Sequence, residues 1–176
     1  MDPDKPYTIV KDDKGYYYID TYTGDGPIAT IPKEIDGKKI SYIAVGAFKN
    51  KNITGIKFEN GFDGSKIFEQ DYTWSTPNIK TLELPQGITE IPNYVIWNIP
   101  LDSVIVPEGV TTIGSGSFGK SKFVQLPKSL TKFNAGSSDS QPGTVFNVPV
   151  GMELSNMYGT GVYIDPYSTN YTIQRY

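Results

Sequence analysis

The sequence predicts a β-rich solenoid, a right-handed superhelix in which about six short parallel strands stack as rungs. Three observations predict it. A short phrase of alternating apolar residues followed by proline recurs along the chain. The last four of these prolines, at positions 85, 107, 127 and 149, are spaced by 22, 20 and 22 residues. A second apolar pair follows the phrase in most copies, so each repeat, here called a coil, has more than one inward-facing position.

Six rungs align on an apolar-x-apolar core, and five of them are followed by proline. Alternation with a period of two predicts a short strand with one buried face. One strand cannot bury that face alone, so we expect the copies to stack into a parallel ladder. Proline lacks the N–H that a ladder requires and should mark the end of each strand. The rungs are Ala29–Ile31, Ile56–Phe58, Leu82–Leu84, Val104–Val106, Val124–Leu126 and Phe146–Val148.

Two further apolar columns follow the rungs. Pairs spaced as apolar-x-x-apolar form the second column, and large single residues five positions later form the third. An L-x-x-L-x-L core with a period in the twenties is typical of a leucine-rich-repeat solenoid. We therefore expect three apolar anchors per coil to face the core. They are Ile40 and Ile43, Ile88 and Ile91, Val110 and Ile113, Leu130 and Phe133 in the second column, and Phe48, Ile96 and Phe118 in the third.

The chain is predicted to be one leucine-rich-repeat domain, 1–176, with repeats over 28–149. Residues 7–10 and 16–19 flank a polar, glycine-closed loop, which predicts a hairpin cap within 1–27. Residues 150–176 lose the repeat, and segments 161–164 and 171–173 around Asp165-Pro166 predict a closing hairpin as the C-terminal cap. Residues 59–78 interrupt the period and are interpreted as an insertion.

Composition excludes several function classes. The chain has no cysteine and no histidine, so thiolate and imidazole metal sites, Ser-His-Asp triads and Cys-His pairs cannot be built. The net charge is -3 and no basic run exceeds a pair, which argues against nucleic-acid binding. The acidic residues fit no calcium-loop pattern, and no motif selects a catalytic pair among them. We expect no metal, no cofactor and no enzymatic activity.

The sequence gives only indirect information on the cellular location of the protein. The first six residues are polar and lack a signal-peptide core, and no apolar run is long enough to span a membrane. We expect no membrane insertion. We also expect an extracellular or cell-surface location, with any signal peptide and anchor outside this chain.

Two phrases resemble BspA-type leucine-rich repeats. The first runs from Ile31-Pro32 through Ile35-Asp36-Gly37-Lys38 to Ala47-Phe48, and the second is Leu84-Pro85-x-x-Ile88-Thr-x-Ile91. The resemblance covers about residues 20–150 and departs from the family pattern at the second rung, which lacks proline. It implies a secreted or cell-surface protein, commonly of host-associated bacteria, that adheres to host matrix proteins, mucins or other bacteria. It implies no catalytic residue, because the family has no shared catalytic set.

The solvent face of the ladder is the first candidate binding site. Outward positions of successive rungs should form two rows, and extended faces of this kind are what solenoids use for binding. The residues expected to contact a partner are Lys57, Glu83, Ile105, Phe123 and Gln125. The alternative is an ordinary solvated sheet face, on which scattered apolar residues need no explanation.

The insertion is the second candidate. Tyr72 and Trp74, close to Glu69 and Asp71, could stack on a sugar or anchor a protein partner. The alternative is a small core under a long loop.

These observations predict a non-enzymatic recognition module of the adhesion type. We expect it to act as a monomer and to bind a host or bacterial protein or glycan. A structural spacer that stacks with neighbouring domains of a larger surface protein is the alternative. A carbohydrate-active enzyme is the least favoured reading.

Overall fold

The computed structural model describes residues 6–44, 46–49, 52–68, 78–135, 142–166, 168 and 171–176. The described residues form fifteen strands and one turn of 3-10 helix, Gly64–Lys66. In chain order the strands are β1 (Tyr7–Lys11), β2 (Tyr17–Tyr22), β3 (Ile28–Ile31), β4 (Glu34–Ile35), β5 (Lys38–Ile43), β6 (Gly55–Phe58), β7 (Thr81–Leu82), β8 (Glu90–Ile91), β9 (Val104–Ile105), β10 (Thr112–Ile113), β11 (Phe123–Gln125), β12 (Lys132–Ala135), β13 (Thr144–Val148), β14 (Val162–Ile164) and β15 (Tyr171–Arg175).

The rungs predicted from the repeat form one parallel ladder, which we call the first ladder. It consists of β3-β6-β7 followed by β9-β11-β13-β15, and a parallel bridge between Thr81 and Ser103 joins the two groups. The register pairs Ala29 with Ile56 and Ile56 with Leu82, as the alignment of the phrase requires. The prediction of a β-solenoid with stacked parallel strands is therefore confirmed.

The second apolar column lies on a second parallel sheet, β8-β10-β12-β14. Ile91, Ile113 and Phe133 are paired across it and are buried. The third column follows in turns, where Ile96 and Phe118 are also buried. Each fully buried Leu, Ile or Phe contributes about 1.5–3 kcal/mol, and such side chains from every coil form one continuous core.

The N-terminal cap is the predicted hairpin, β1 paired antiparallel with β2. Asp12 holds its loop by accepting hydrogen bonds from the Tyr16 N–H at 2.8 Å and the Tyr42 hydroxyl at 2.9 Å. The ring of Tyr18 stacks on that of Tyr42, with centroids 4.9 Å apart. β2 also pairs in parallel with β5, which pairs antiparallel with β4, so the cap is continuous with the coil that follows it.

The predicted C-terminal hairpin is wrong. β14 and β15 do not pair with each other; β14 extends β12 in the second sheet and β15 extends β13 in the first ladder, both in parallel. The physical reason is that the edges of β12 and β13 carry main-chain groups and large apolar side chains that a following coil can cover. Tyr171 covers Phe146, with their rings edge to face at 5.3 Å. The chain therefore ends in a further coil, and the first ladder has seven rungs among the described residues instead of six.

The insertion is described over residues 59–68. Asp63 caps the 3-10 helix by accepting a hydrogen bond from the Ser65 N–H at 3.0 Å. Phe62 and Ile67 are buried, and the Phe62 ring packs on Phe58 at 4.8 Å. This part of the insertion is thus a small extension of the core. Tyr72 and Trp74 lie outside the described residues.

Candidate binding face

The solvent face of the first ladder consists of two rows of side chains, one on each side of the buried column. Parallel pairing without a register shift places residues of successive rungs side by side, at about 4.8 Å per strand. At least one residue pairing between each two adjacent strands sets this register, through β3, β6, β7, β9, β11, β13 and β15. The first row is Ile28, Gly55, Thr81, Ser103, Phe123, Val145 and Thr172. The second row is Thr30, Lys57, Glu83, Ile105, Gln125, Asn147 and Gln174.

Lys57, Glu83, Ile105 and Gln125 occupy four successive positions of the second row. Lys57 and Glu83 are exposed, and the Glu83 N–H donates to the Ile56 carbonyl at 3.0 Å, which fixes the position of Glu83 beside Lys57. Gln125 pairs with Ile105 across the ladder. The structure therefore brings four of the predicted residues together over roughly 15 Å, the width of three strand spacings.

The centre of the row is apolar. Ile105 is 60% exposed, whereas its neighbour Val104 is buried, because alternation along β9 turns successive side chains to opposite faces. Phe123 lies on the adjacent strand in the first row and is half-buried. Ile105 and Phe123 thus form a diagonal apolar pair on a sheet face that is otherwise mostly polar. A large aliphatic side chain left this exposed loses much of the free energy that full burial would gain, which is about 1.5–3 kcal/mol.

A shallow groove lies beside Ile105. It has a volume of about 330 Å³, and its walls include Thr81, Glu83, Ser103 and Ile105. These side chains offer one carboxylate, two hydroxyl groups and one apolar surface. Such a set can hold a short side chain or a section of extended chain from a partner, and it lacks the enclosure of a catalytic cleft.

A hydrogen bond between two side-chain amides orders the polar side of the row. The Asn147 Nδ2 donates a hydrogen bond to the Gln125 Oε1 at 3.3 Å. That bond uses the oxygen of Gln125 and leaves its NH₂ group directed away from Asn147. Gln125 therefore presents a donor on this face.

Sequence reasoning missed a second concave region. It lies at the N-terminal end, away from the ladder face, where Tyr16 and Tyr17 meet Lys38 and Lys66. The pairing of β2 with β5 brings the tyrosines to Lys38, and the 3-10 helix that packs against β5 adds Lys66. The dipeptides Tyr16-Tyr17 and Lys38-Lys39 were the available sequence features. Nothing in the sequence links them, because they come together only through the pairing of β2 with β5.

Comparisons with known proteins agree with this architecture. The family model of the BspA type leucine rich repeat region matches six copies over residues 32–140, more than half of the chain. The chain therefore belongs to the BspA-type leucine-rich-repeat family. Its fold is similar to the crystal structure of the T. pallidum leucine rich repeat protein, with a TM-score of 0.52 and 21% sequence identity over 87% of this chain and 73% of that one. No curated protein matches the chain significantly in sequence.

Family and fold bear on function only at a coarse level. Repeats of this family suggest a protein-binding or structural module, and proteins with this fold are typically not enzymes. In the described part of the chain, no helix has the length and apolar character needed to cross a membrane.

Proposed function

We propose that this chain is a non-enzymatic recognition module of a secreted or cell-surface protein, which binds a host or bacterial protein or glycan through its ladder face. The observation that carries the proposal is Ile105, which is 60% exposed at the centre of a polar row and beside a groove of about 330 Å³. A partner that covers Ile105 removes this apolar surface from water without any rearrangement of the fold.

The arrangement of the face supports binding. Lys57 and Glu83 supply opposite charges on neighbouring rungs, and Gln125 supplies an amide donor on the other side of Ile105. An apolar centre with a polar rim is the usual anatomy of a protein interface. Phe123 extends the apolar centre diagonally, and aromatic residues near the middle of an interface often contribute much of its binding free energy.

The second part of the proposal concerns Tyr72 and Trp74. Residues 59–78 connect β6, which carries Lys57, to β7, which carries Thr81 and is followed by Glu83. In sequence, the insertion is bounded by these two strands, which contribute one end of the proposed face. Its two aromatic residues are of the kinds most enriched among binding hot spots, and we propose that they contact the same partner.

The mode of action follows from the shape of the face. An open ladder favours contact over an extended area in preference to enclosure of a small substrate, and the module acts as a monomer presenting one such area. Opposite charges on the face favour a partner with mixed polarity. A surface location would place the face where such partners are met.

The test is a binding screen of the purified chain against immobilised matrix proteins, mucins and a glycan array. The double variant Ile105→Ala/Phe123→Ala removes the apolar centre, and Trp74→Ala tests the insertion. Ile28→Ala is the matched control, because Ile28 is also an exposed isoleucine on this face but lies at its first rung. We expect the double variant to weaken binding at least tenfold and the control to change it less than about twofold.

Each result has a definite reading. Binding that survives the double variant would contradict the ladder-face site. A Trp74→Ala variant that binds normally would remove the insertion from the proposal. Absence of any partner, with all variants folded, would favour the structural-spacer function instead.

A further inference from the structure

A second concave site lies on the N-terminal cap, and we call it the tyrosine–lysine groove. It has a volume of about 540 Å³ and is lined mainly by Tyr16, Tyr17, Lys38, Ser41, Ser65 and Lys66. Its volume lies within the range of roughly 300–1,000 Å³ that is usual for small-molecule sites. Three parts of the chain meet there: the hairpin cap, the start of β5 and the 3-10 helix.

Lysine ammonium groups are gathered on the two tyrosine rings. The Lys38 Nζ lies 5.3 Å and the Lys11 Nζ 5.6 Å from the centre of the Tyr17 ring. The Lys66 Nζ lies 5.6 Å from the centre of the neighbouring Tyr16 ring. Each ring attracts a cation through its negative π face, by about 0.5–1 kcal/mol at an exposed site. Three positive charges are thus held close together in a chain whose net charge is -3.

An ion pair and a helix cap stabilise the wall of the groove. Asp63 is the acidic residue among those lining the groove, and its Oδ2 is paired with the Lys39 Nζ at 2.8 Å. Its other oxygen caps the 3-10 helix through the Ser65 N–H. Lys39 is engaged with Asp63, so the other lysines of the lining are Lys38 and Lys66, and Lys11 lies beside the groove at the Tyr17 ring.

Local turn geometry fixes Lys38. Asp36 and Gly37 both have positive φ, 51° and 73°, and form the two-residue turn between β4 and β5. This is the geometry of a type I′ hairpin, for which an Asp-Gly pair is a preferred sequence. Lys38 is the first residue after the turn, so its position is set by a rigid hairpin. The backbone at Lys38 is therefore already ordered before a ligand binds, and only its side chain remains to be fixed.

We propose that the tyrosine–lysine groove binds an acidic glycan, a sugar chain that carries sulfate or carboxylate groups. The ammonium groups of Lys38 and Lys66 in the groove, and of Lys11 beside it, pair with the anionic substituents, and each pairing is a charge-assisted hydrogen bond. The hydroxyl groups of Ser41 and Ser65 lie in the same groove and bind the sugar hydroxyls. Separate positive charges interspersed with hydroxyl groups match a polyhydroxylated polyanion better than a single phosphate ion. This site shares no residue with the proposed ladder-face site.

The test uses the whole chain and a heparin-derived tetrasaccharide, with its desulfated counterpart as the ligand control. Affinity is measured by isothermal titration at low and at physiological salt. We expect the sulfated tetrasaccharide to bind, to bind more weakly as salt rises, and to lose affinity on desulfation. Lys38→Ala/Lys66→Ala should weaken binding at least tenfold. Tyr17→Leu should weaken it several-fold, because the ring that holds two ammonium groups is removed, and Tyr17→Phe should retain it.

Matched controls separate this site from general charge. Lys128→Ala/Lys132→Ala removes the same number of exposed lysines outside the groove and outside the ladder face, and it should change affinity less than about twofold. Equal weakening by the two double variants would overturn the proposal, since binding would then depend on net charge alone. Absence of binding to the tetrasaccharide by the wild-type chain would also overturn it. Thermal unfolding of every variant verifies that the cap is folded.

Two further arms decide the ligand class and the independence of the site. A glutamate-rich peptide that bound as tightly, with the same loss in Lys38→Ala/Lys66→Ala, would overturn the assignment to glycans. The Ile105→Ala/Phe123→Ala variant should bind the tetrasaccharide normally. That result would support a groove separate from the ladder face, and the proposed function could then fail while this site stood, or the reverse.

Discussion

Asp63 connects two parts of the chain through one carboxylate. One oxygen caps the 3-10 helix of the insertion, and the other pairs with Lys39 of β5 at 2.8 Å. The hydrogen bond from Lys39, followed by those from Ser65, lowers the pKa of Asp63 from its ordinary 3.8 to about 2. These bonds favour the ionised carboxylate because they all donate to it.

The lowered pKa of Asp63 gives a pH dependence with a definite sign. The folded protein binds this proton less tightly than the unfolded chain does, so the stabilisation is complete above about pH 4 and is lost as the pH falls toward 2. The pair is substantially exposed, so we expect it to contribute less than about 1 kcal/mol. An NMR titration of the Asp63 carboxyl should give a midpoint near 2, and Lys39→Ala should raise that midpoint. Lys122→Ala, which removes the partner of Asp102, should leave it unchanged. A wild-type midpoint close to 4 would contradict the bonding described here.

At the residue scale, the sequence predicts which face a side chain occupies better than which residues it meets. Alternation placed Ile105 outward and Val104 inward, as the structure has them. The meeting of Tyr17 with Lys38 could not be predicted in the same way, because it depends on the pairing of β2 with β5. A local sequence pattern shows the period of a strand but does not show which strand it will pair with.

Between strands, close approach of successive coils decides where small residues are required. The Gly114 N–H donates to the Ile91 carbonyl at 2.7 Å, and the neighbouring Ser115 N–H donates to the Asn93 Oδ1 at 2.8 Å. A Cβ atom on Gly114 would lie 2.4 Å from the Asn93 nitrogen and 2.5 Å from its Oδ1. One coil can therefore stack on the next at this turn only because position 114 carries no side chain.

Gly114→Ala should lower the free energy of unfolding by about 1–3 kcal/mol, because the added methyl group must displace backbone atoms of the preceding coil. Urea denaturation followed by circular dichroism measures the change. Gly26→Ala is the control, since the nearest atom to its Cβ would be the Ile28 carbonyl oxygen at 3.8 Å. We expect the control to change stability by no more than about 0.5 kcal/mol. Equal effects of the two substitutions would show that the coils can separate at Gly114 at little cost.

At the scale of the elements, the sequence predicts correctly those strands that carry the repeat. Rungs that carry the apolar-x-apolar-Pro phrase were predicted with their correct register, as Val124 opposite Phe146 illustrates. Residues 171–175 lack both the phrase and the proline, and a short alternating segment of this kind is equally compatible with a hairpin and with a ladder strand. The ladder forms because β13 offers both a main-chain edge for pairing and the ring of Phe146, on which Tyr171 packs.

At the scale of the whole molecule, contacts between coils are made largely between neighbours. Side chains also join adjacent coils: the Gly109 N–H donates to the Ser129 Oγ at 2.9 Å, and the Thr131 Oγ1 donates to the Thr111 carbonyl at 3.0 Å. Each of these bonds joins residues 20 positions apart in sequence. Stability in such an array is approximately a sum over coils and the interfaces between adjacent coils.

A destabilising substitution at one end of the solenoid should therefore affect mainly the coils at that end. Tyr171→Ala removes a ring that packs on Phe146 and should lower the opening free energy of β13 and β15 by about 1–3 kcal/mol. Hydrogen exchange measured strand by strand should show this loss, with β3 and β6 unchanged. Tyr22→Ala, at the opposite end against Tyr7 and Phe48, should give the mirror pattern. Uniform loss of protection in both variants would indicate one cooperative unit instead.

The hydrogen bonds of both ladders have a mechanical consequence. They join each coil to the next and so lie along the direction in which the coils stack. Tension applied along that direction breaks the hydrogen bonds of one coil interface after another. It does not load many bonds in shear at the same time. Release of a coil of about 22 residues lengthens the chain by roughly 70 Å. A pulled molecule should therefore yield in low, regular steps and extend several-fold before it is fully unfolded.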